Sequence, residues 1–349
     1  MLSNPQIGPL RLLKETMAKP DGANKRVLIA GGCGFLGSHL CDELLKRADV
    51  GTLVCVDNLW TGDVRNIKHL TDKRFHFVES DVEAFRSDHL FDEVYHFASP
   101  ASPPWYMREP ARTISANVVG ALRLLEILRP GGRFCYTSTS EVYGEPLVSP
   151  QPESFRGWVD CTGPRSSYDE AKRATEALLF ETRRTRGLDL RVARLFNVYG
   201  PRTREDDGRA ISNFITQALS GQPITVFGDG RQSRSWGYVS DLTEGMARFF
   251  WRDRFDYLGP LNLGNEREIS VIDIANYVAE ICGGHPVVHL EPAPQDPTNR
   301  CPDLTIARQI LPGWDCEVPF EDGVKMTLEW FRAGGGAQQA DRGTRAAQA

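Results

Sequence analysis

Apolar positions near residue 27 fall into two patterns in quick succession. In "RVLIAGGCGFLGSHLCDELLKR" residues 27–30 form an uninterrupted apolar run, and Leu36, Leu40, Leu44 and Leu45 then recur at helical spacing. The first pattern predicts a strand buried on both faces and the second a helix, with a glycine turn between them. Four further runs, "GTLVCVDN", "FHFVESDV", "EVYHFAS" and "RFCYTSTS", predict strands, and "DLRVARLFNVYGP" predicts a sixth. Two more helical stretches interleave with them. "PARTISANVVGALRLLEILRPGG" is opened by Pro110 and closed by glycine, and "SYDEAKRATEALLFETRRTRG" also has a glycine stop. Strands alternate with helices and no tight hairpin signal intervenes. The expected architecture is α/β, a doubly wound parallel sheet.

Beyond residue 200 the alternation breaks. "REDDGRAISNFITQALSGQPITVFGDGRQSRSWGYVSD" mixes a helix, a short strand and a polar loop, and proline thickens in "EPAPQDPTNRCPD". This region reads as a smaller α/β substrate-binding lobe. The expected organisation is an N-terminal extension over 1–24, then a nucleotide-binding domain over 25–195 to which 235–262 returns. The lobe takes 196–234 and 263–332, and a disordered tail follows over 333–349. No internal repeat is present.

Composition narrows the function. The chain has 349 residues, 41% hydrophobic and 25% charged, with a formal net charge of -5. That balance does not suit coating nucleic acid or an anionic membrane. No apolar run reaches the length of a membrane span, and the N-terminus lacks the apolar core of a signal peptide. Eight scattered cysteines form no CxxC pair and no zinc-ligand spacing, so reduced thiols in the cytoplasm are expected. "HPVVH" has an apolar centre and reads as a strand, and no metal site is expected.

The glycine turn carries the first candidate chemistry. Gly31, Gly34 and Gly37 follow a strand and open a helix, where the backbone can approach a pyrophosphate and the helix N-terminus faces its charge. Asp57 ends the next strand, where a carboxylate can take both ribose hydroxyls of NAD and repel a 2'-phosphate. Asn58 beside it offers no positive charge, so NAD is expected rather than NADP. Asp81 and Val82 end the third strand, where an adenine edge could sit. Phe35, Leu36, Phe97, Ala98, Ser99, Thr137 and Val198 complete the expected cofactor contacts.

Tyr168 and Lys172 stand four apart in "YDEAK", on one face of a helix. An ammonium beside a phenol favours the phenolate, which could remove a hydroxyl proton while NAD takes the hydride. Thr139 in "TSTSEVYG" would hydrogen-bond the same hydroxyl.

These residues, together with "SPASPPWYM", "TSTSEVYGEP", "GPRSSYDEAKR", "RLFNVYGPR" and "DGRAISNFITQAL", resemble the extended short-chain dehydrogenase/reductase family, and within it the UDP-glucuronate decarboxylases. The resemblance spans about residues 25–332. It implies a homodimer acting on UDP-glucuronate, with NAD recycled in place and UDP-xylose and carbon dioxide as products. It implies catalytic roles for Thr139, Ser140, Glu141, Tyr168, Lys172 and Arg300. Ser140 replaces the acid that a related 4,6-dehydratase carries, while Glu141 keeps its carboxylate and would orient a proton-delivering water near C5. The resemblance also implies substrate contacts from Tyr106, Arg112, Asn117, Asn197, Arg209, Thr225, Arg234 and Arg300. Guanidinium suits both pyrophosphate and carboxylate. Arg112 departs from the lysine of the pattern, and Trp236-Gly237 replaces Phe-Cys. A UDP-hexuronate 4-epimerase and a non-catalytic NAD-binding scaffold remain alternatives.

Overall fold

The computed structural model describes residues 24–252, 257–292 and 297–335. Apart from Asn24 and residues 333–335, the extension and the tail expected at the two ends lie outside the described residues. Six of the main-sheet strands come early in the chain. They are β1 (Lys25–Ala30), β2 (Val50–Asp57), β3 (Phe75–Glu79), β4 (Phe91–His96), β5 (Leu128–Thr139) and β6 (Asp189–Leu195). The helices among them are α1 (Phe35–Lys46), α2 (Pro103–Arg108), α3 (Pro110–Glu126) and α4 (Ser166–Arg186). The lobe then contributes β7 (Asn197–Tyr199), α5 (Ala210–Leu219), β8 (Ile224–Phe227) and β9 (Ser233–Tyr238). The chain continues through α6 (Val239–Phe250), β10 (Leu261–Leu263), β11 (Glu268–Ser270), α7 (Val271–Ile281) and β12 (Val287–Leu290). It closes with α8 (Thr305–Ile310) and α9 (Phe320–Arg332).

The main sheet has the order β10-β6-β5-β4-β1-β2-β3, and every pairing in it is parallel. Both faces are covered, which explains the unbroken apolar runs. Val27 and Ile29 face a core shared with Leu40 and Leu44 of α1 and Leu242 and Met246 of α6. Leu28 and Ala30 face the other side, with Leu124 of α3 and Leu179 of α4. Removing one such leucine or isoleucine side chain costs about 2–5 kcal/mol.

Two predicted elements are bounded differently. The helix expected to run to the glycines at 131–132 ends at Glu126, because Leu128 already pairs with Phe91 as a strand. The expected sixth strand is cut at Phe196. Leu195 pairs with Leu263 in the main sheet, whereas Asn197 pairs with Trp236 in a separate three-stranded sheet, β11-β9-β7. The lobe also holds a two-stranded parallel pair, β12 with β8.

Buried charges fasten the strand ends farthest from the glycine turn. Glu93 is 3% exposed. It accepts from Lys25 Nζ (2.9 Å), Arg47 Nη1 (2.6 Å) and the Tyr95 hydroxyl (2.6 Å). Burial pushes its carboxyl up, but Arg47, Tyr95 and Lys25 outweigh burial and hold it at about 2. The pair ties α1 back onto β1 and β4 and so fixes the helix that receives the glycine turn.

Candidate active site

A cavity of about 710 Å³ opens at the carboxyl ends of β1, β4, β5 and β6 and runs into the lobe. In an open parallel sheet that is where ligands bind. The glycine turn forms one wall. Gly31 has φ +85, and a Cβ there would lie 2.6 Å from the Ala98 nitrogen. A Cβ at Gly37 would lie 2.1 Å from the Gly31 carbonyl oxygen. Neither position can carry a side chain, so α1 packs directly on the turn. Gly34 caps α1 without any side-chain hydrogen bond, which leaves its first N–H groups open to an anion. These features fit the pyrophosphate of NAD.

Asp57 is 7% exposed and does not line the cavity. Its Oδ2 accepts the Cys33 N–H (2.9 Å) and its Oδ1 the Leu59 N–H (2.8 Å). The carboxylate therefore holds the glycine turn in shape, and its remaining lone pairs are the ones available to a ribose. Burial raises its pKa. Asn58 Nδ2 donates to Asp81 Oδ1 (2.6 Å), which joins the end of β2 to the position after β3 where the adenine edge is expected. Val82 and Ala98 are packed behind the wall rather than on it, whereas Phe35, Leu36, Phe97, Ser99, Thr137 and Val198 line the cavity.

The hydroxyl strand and α4 meet on the opposite wall. Thr139, Ser140, Glu141, Tyr168 and Lys172 all line the cavity. Thr139 Oγ1 accepts the Glu141 N–H (3.2 Å). Tyr168 stacks on Tyr106 of α2, with ring centroids 5.0 Å apart and planes at 10°. The expected effect of Lys172 takes a different form. Its ammonium donates to the Thr137 carbonyl (2.8 Å) and lies over the rings of Tyr136 (4.8 Å) and Tyr168 (5.7 Å). Burial raises the Tyr168 phenol, and the Thr139 hydroxyl pulls against it. Burial also lowers Lys172 to about 7.

Glu141 sits in a cage of cations. Its Oε2 accepts from Arg165 Nη2 at 2.6 Å and from Arg300 Nη2 at 3.4 Å. Burial raises its carboxyl, but Arg300, Arg165 and Arg234 overcome this and hold it well below the usual carboxylate range. Arg300 is 1% exposed and stands behind Glu141 rather than on the cavity wall. Its Nε is buried without a hydrogen-bond partner.

Of the expected substrate contacts, Tyr106, Asn197, Arg209, Thr225 and Arg234 line the cavity with Glu141. Arg209 is chelated by Asp207 (2.5 and 2.9 Å) and lies over the Phe35 ring. Besides Arg300, which stands behind Glu141, two expected contacts do not line the cavity. Arg112 binds Asp81 Oδ1 (3.0 Å) and stacks over Trp60 (4.3 Å), which puts it beside Asn58 on the nucleotide side. Asn117 is fully buried, donating to Ser99 Oγ and the Thr113 carbonyl and accepting from the Tyr136 hydroxyl. Its amide is spent on holding α3 to the sheet.

The residue that sequence reasoning passed over is Arg165. It stands inside the quoted "GPRSSYDEAKR" block, three residues before Tyr168, but its partner lies 24 residues earlier in another element. The aromatic rim over the cavity mouth was also missed. Trp105 of α2 meets Trp60 edge-on (6.4 Å), carries Arg204 on its face (4.9 Å) and donates to the Asp206 carbonyl (3.1 Å). Helix α2 thus bridges the nucleotide wall and the lobe.

Comparison with known proteins agrees with this arrangement. The family model described as the NAD dependent epimerase/dehydratase family matches residues 27–262. UDP-glucuronic acid decarboxylase 5 of Arabidopsis thaliana is 43% identical over 313 residues, covering 89% of this chain and 90% of that protein. UDP-glucuronic acid decarboxylase 1 of Xenopus tropicalis is 42% identical, covering 88% of this chain and 72% of its own. Among solved structures, UDP-glucuronic acid 4-epimerase from Bacillus cereus in complex with UDP-glucuronic acid and NAD is similar with a TM-score of 0.78. It is 27% identical, and the match covers 88% of this chain and 99% of that one. With the glycine cradle, the Tyr168–Lys172 pair and the caged Glu141 in one cavity, and with relatives above 40% identity along nearly nine-tenths of its length, the chain belongs to the NAD-dependent epimerase/dehydratase family, in its UDP-glucuronic acid decarboxylase branch.

Proposed function

We propose that this chain is a carboxy-lyase that converts UDP-glucuronate to UDP-xylose and carbon dioxide through a 4-keto intermediate. The observation that carries this reading is Glu141, held ionised by Arg165 and Arg300 at the end of the strand that bears Thr139. An oxidation and re-reduction at C4 alone has no need of that carboxylate. NAD, held by the glycine turn and Asp57, would supply the hydride acceptor and donor for C4.

The chain's own groups do the rest. Tyr168 takes the C4 hydroxyl proton as its phenolate, the form that the Thr139 hydroxyl and the Arg209 charge favour against burial and that the positive charge of a bound nicotinamide would favour further, and the Thr139 hydroxyl holds the same oxygen. Lys172 braces the phenol ring from below and anchors the end of β5 through the Thr137 carbonyl. With C4 a ketone, the sugar carboxylate is β to a carbonyl. The C5–carboxyl bond breaks, its electron pair enters the enolate, and carbon dioxide leaves. Glu141 orients the water through which C5 is protonated. Arg234 and Arg209, which line the cavity, bind the pyrophosphate in this reading, and Arg300 steadies Glu141 from behind.

The assembly is a homodimer in this reading. Ile114, Val119 and Leu122 leave an exposed apolar stripe on α3 (47, 38 and 44% exposed), beside α4. A cytoplasmic setting is supported by eight free thiols, among them Cys33 and Cys55 with sulfurs 4.0 Å apart. Among the described residues no helix is long and apolar enough to cross a membrane.

The test is incubation with UDP-glucuronate and NAD, followed by nucleotide-sugar analysis and carbon dioxide trapping. Equal amounts of UDP-xylose and carbon dioxide are expected. A UDP-hexuronate epimer without carbon dioxide would overturn the reading in favour of a 4-epimerase, and no conversion at all would leave a NAD-binding scaffold.

A further inference from the structure

Decarboxylation consumes a proton. The substrate carboxylate leaves as neutral carbon dioxide, and C5 gains a hydrogen in its place. The proton that Tyr168 takes from the C4 hydroxyl is not available, because it returns to the C4 oxygen when C4 is reduced. Glu141 cannot supply it either, since Arg165 and Arg300 keep its carboxyl ionised. A carboxylate can align a water but cannot donate a proton it does not hold. Lys172 is committed to the Thr137 carbonyl and the Tyr168 ring, on the C4 side of the reaction, so the site needs a further group that is an acid at neutral pH.

We propose that Asp169 is that group: it stores the C5 proton as a neutral carboxyl and releases it through the water aligned by Glu141. This rests on the decarboxylase reading above. Asp169 directly follows Tyr168 in the first turn of α4 and is 6% exposed. Its Oδ1 is buried without a hydrogen-bond partner, an environment that disfavours a carboxylate. Arg165 is one helical turn away, with the Asp169 N–H bonded to its carbonyl (3.2 Å). The groups acting on Asp169 are Glu141 from the turn after β5, Arg165 and Glu170 along its own element, and Arg300 from the lobe. Tyr106 of α2 and the adjacent Tyr168 feel its charge in turn. Burial and the Glu141 charge raise its carboxyl, against the pull of Arg165 and Arg300, to about 8.

The two carboxyls thus divide the work. Arginine holds one as the fixed charge that aligns the water, and burial keeps the other protonated. The transfer balances: Asp169 loses its proton, the water passes one on, and the electron pair left at C5 by carbon dioxide receives it. Asp169 then regains a proton from solvent before the next turnover. Asp169 does not line the cavity, so its proton reaches C5 by way of the water that Glu141 aligns and not by direct contact with the sugar.

The test separates the two halves of the reaction. In single turnovers from about pH 6 to about pH 9, NADH appearance reports C4 oxidation and UDP-xylose formation reports C5 protonation. In the wild type, UDP-xylose formation should fall about tenfold per pH unit above about 8, while NADH appearance does not. Asp169→Asn should slow UDP-xylose formation by about 100-fold or more and abolish that alkaline limb, with NADH appearance changed by less than about threefold. Asp169→Glu should recover part of the loss. Infrared spectra of the enzyme without substrate should show a protonated carboxyl band that titrates away above about 8 and is missing in Asp169→Asn. Wild-type product rates in Asp169→Asn, or a wild-type profile with no alkaline loss, would overturn the proposal. If Asp169→Asn does not fold, the wild-type profile and infrared titration decide. Absence of carbon dioxide from the wild type at every pH would instead defeat the decarboxylase reading.

Discussion

Lys172 is 3% exposed, and its ammonium donates to the Thr137 carbonyl beneath the Tyr136 ring. Burial lowers it from 10.5 to about 7, with Glu176 pulling the other way. At about 1.36 kcal/mol per pH unit, that gap corresponds to about 4–5 kcal/mol of penalty for keeping the charge in the folded protein. The sign follows from proton binding. Between about 7 and 10.5 the unfolded chain binds more protons than the folded one, so stability rises with pH across that window. Below about 7 both states are charged and the full penalty applies. Replacing Lys172 by Met keeps the length and removes the charge, but it strands the Thr137 carbonyl at a cost of about 1–3 kcal/mol. The net expectation is a variant about 1–4 kcal/mol more stable than the wild type near pH 6 in the absence of nucleotide, with turnover lost. The advantage should shrink as pH climbs towards 10. Urea unfolding of nucleotide-free protein at several pH values measures this directly. A Met variant less stable than wild type near pH 6, by an amount that does not change with pH, would refute the argument and make Lys172 a net stabiliser.

Tyr168→Phe should cut turnover by at least about 100-fold while NAD still binds, because only the proton-accepting oxygen is removed. Fluorescence titration with NAD beside an activity assay checks both halves. Gly37→Ala should destabilise the protein by about 1–3 kcal/mol and weaken NAD, because the new Cβ meets a backbone carbonyl and the gain in helix propensity, about 1 kcal/mol, is smaller. Unchanged denaturation midpoints would count against this packing. Glu93→Gln should cost about 1.5–3 kcal/mol at neutral pH by removing one of the two anions that Arg47 and Lys25 share, with Asp49 still paired to both. The Glu93 carboxyl is depressed in the folded state, so its contribution is present above about 4.3 and lost as pH falls through about 2. The difference between variant and wild type should therefore narrow on acidification.

The buried parallel strands were legible because each is an unbroken apolar run, and the glycine turn because only glycine can pack α1 that closely. What the sequence hid had two causes. Strand β10 is three residues long, too short for any periodicity, yet it completes the main sheet beside β6. The break at Phe196 is equally silent, since an apolar run looks the same whether it stays in one sheet or passes to another. The site followed the same rule. Tyr168 and Lys172 share a helix face and could be paired by spacing alone, whereas the pairing of Glu141 with Arg165 and Arg300 exists only in three dimensions. Arg112 and Asn117 are expected as substrate contacts from the family resemblance alone, which carries positions and not the partners a side chain finds. Asp81 claims the first, and the packing of α3 claims the second.

The crossing at Phe196 has a consequence for how such a protein can be rebuilt. The chain passes between the main sheet and the lobe three times: at Phe196, where β9 gives way to α6, and again between β10 and β11. Strand β7, one residue past the main sheet, is hydrogen-bonded to β9, more than thirty residues further on. A chimera with a single crossover inside the lobe would therefore pair strands from two parents and scramble the wall that carries Asn197, Arg234 and Trp236. A faithful transplant needs matched cuts at all three crossings, with α6 and β10 left in the host. Substrate preference in this architecture is more readily retuned by single side chains facing the cavity than by exchange of modules.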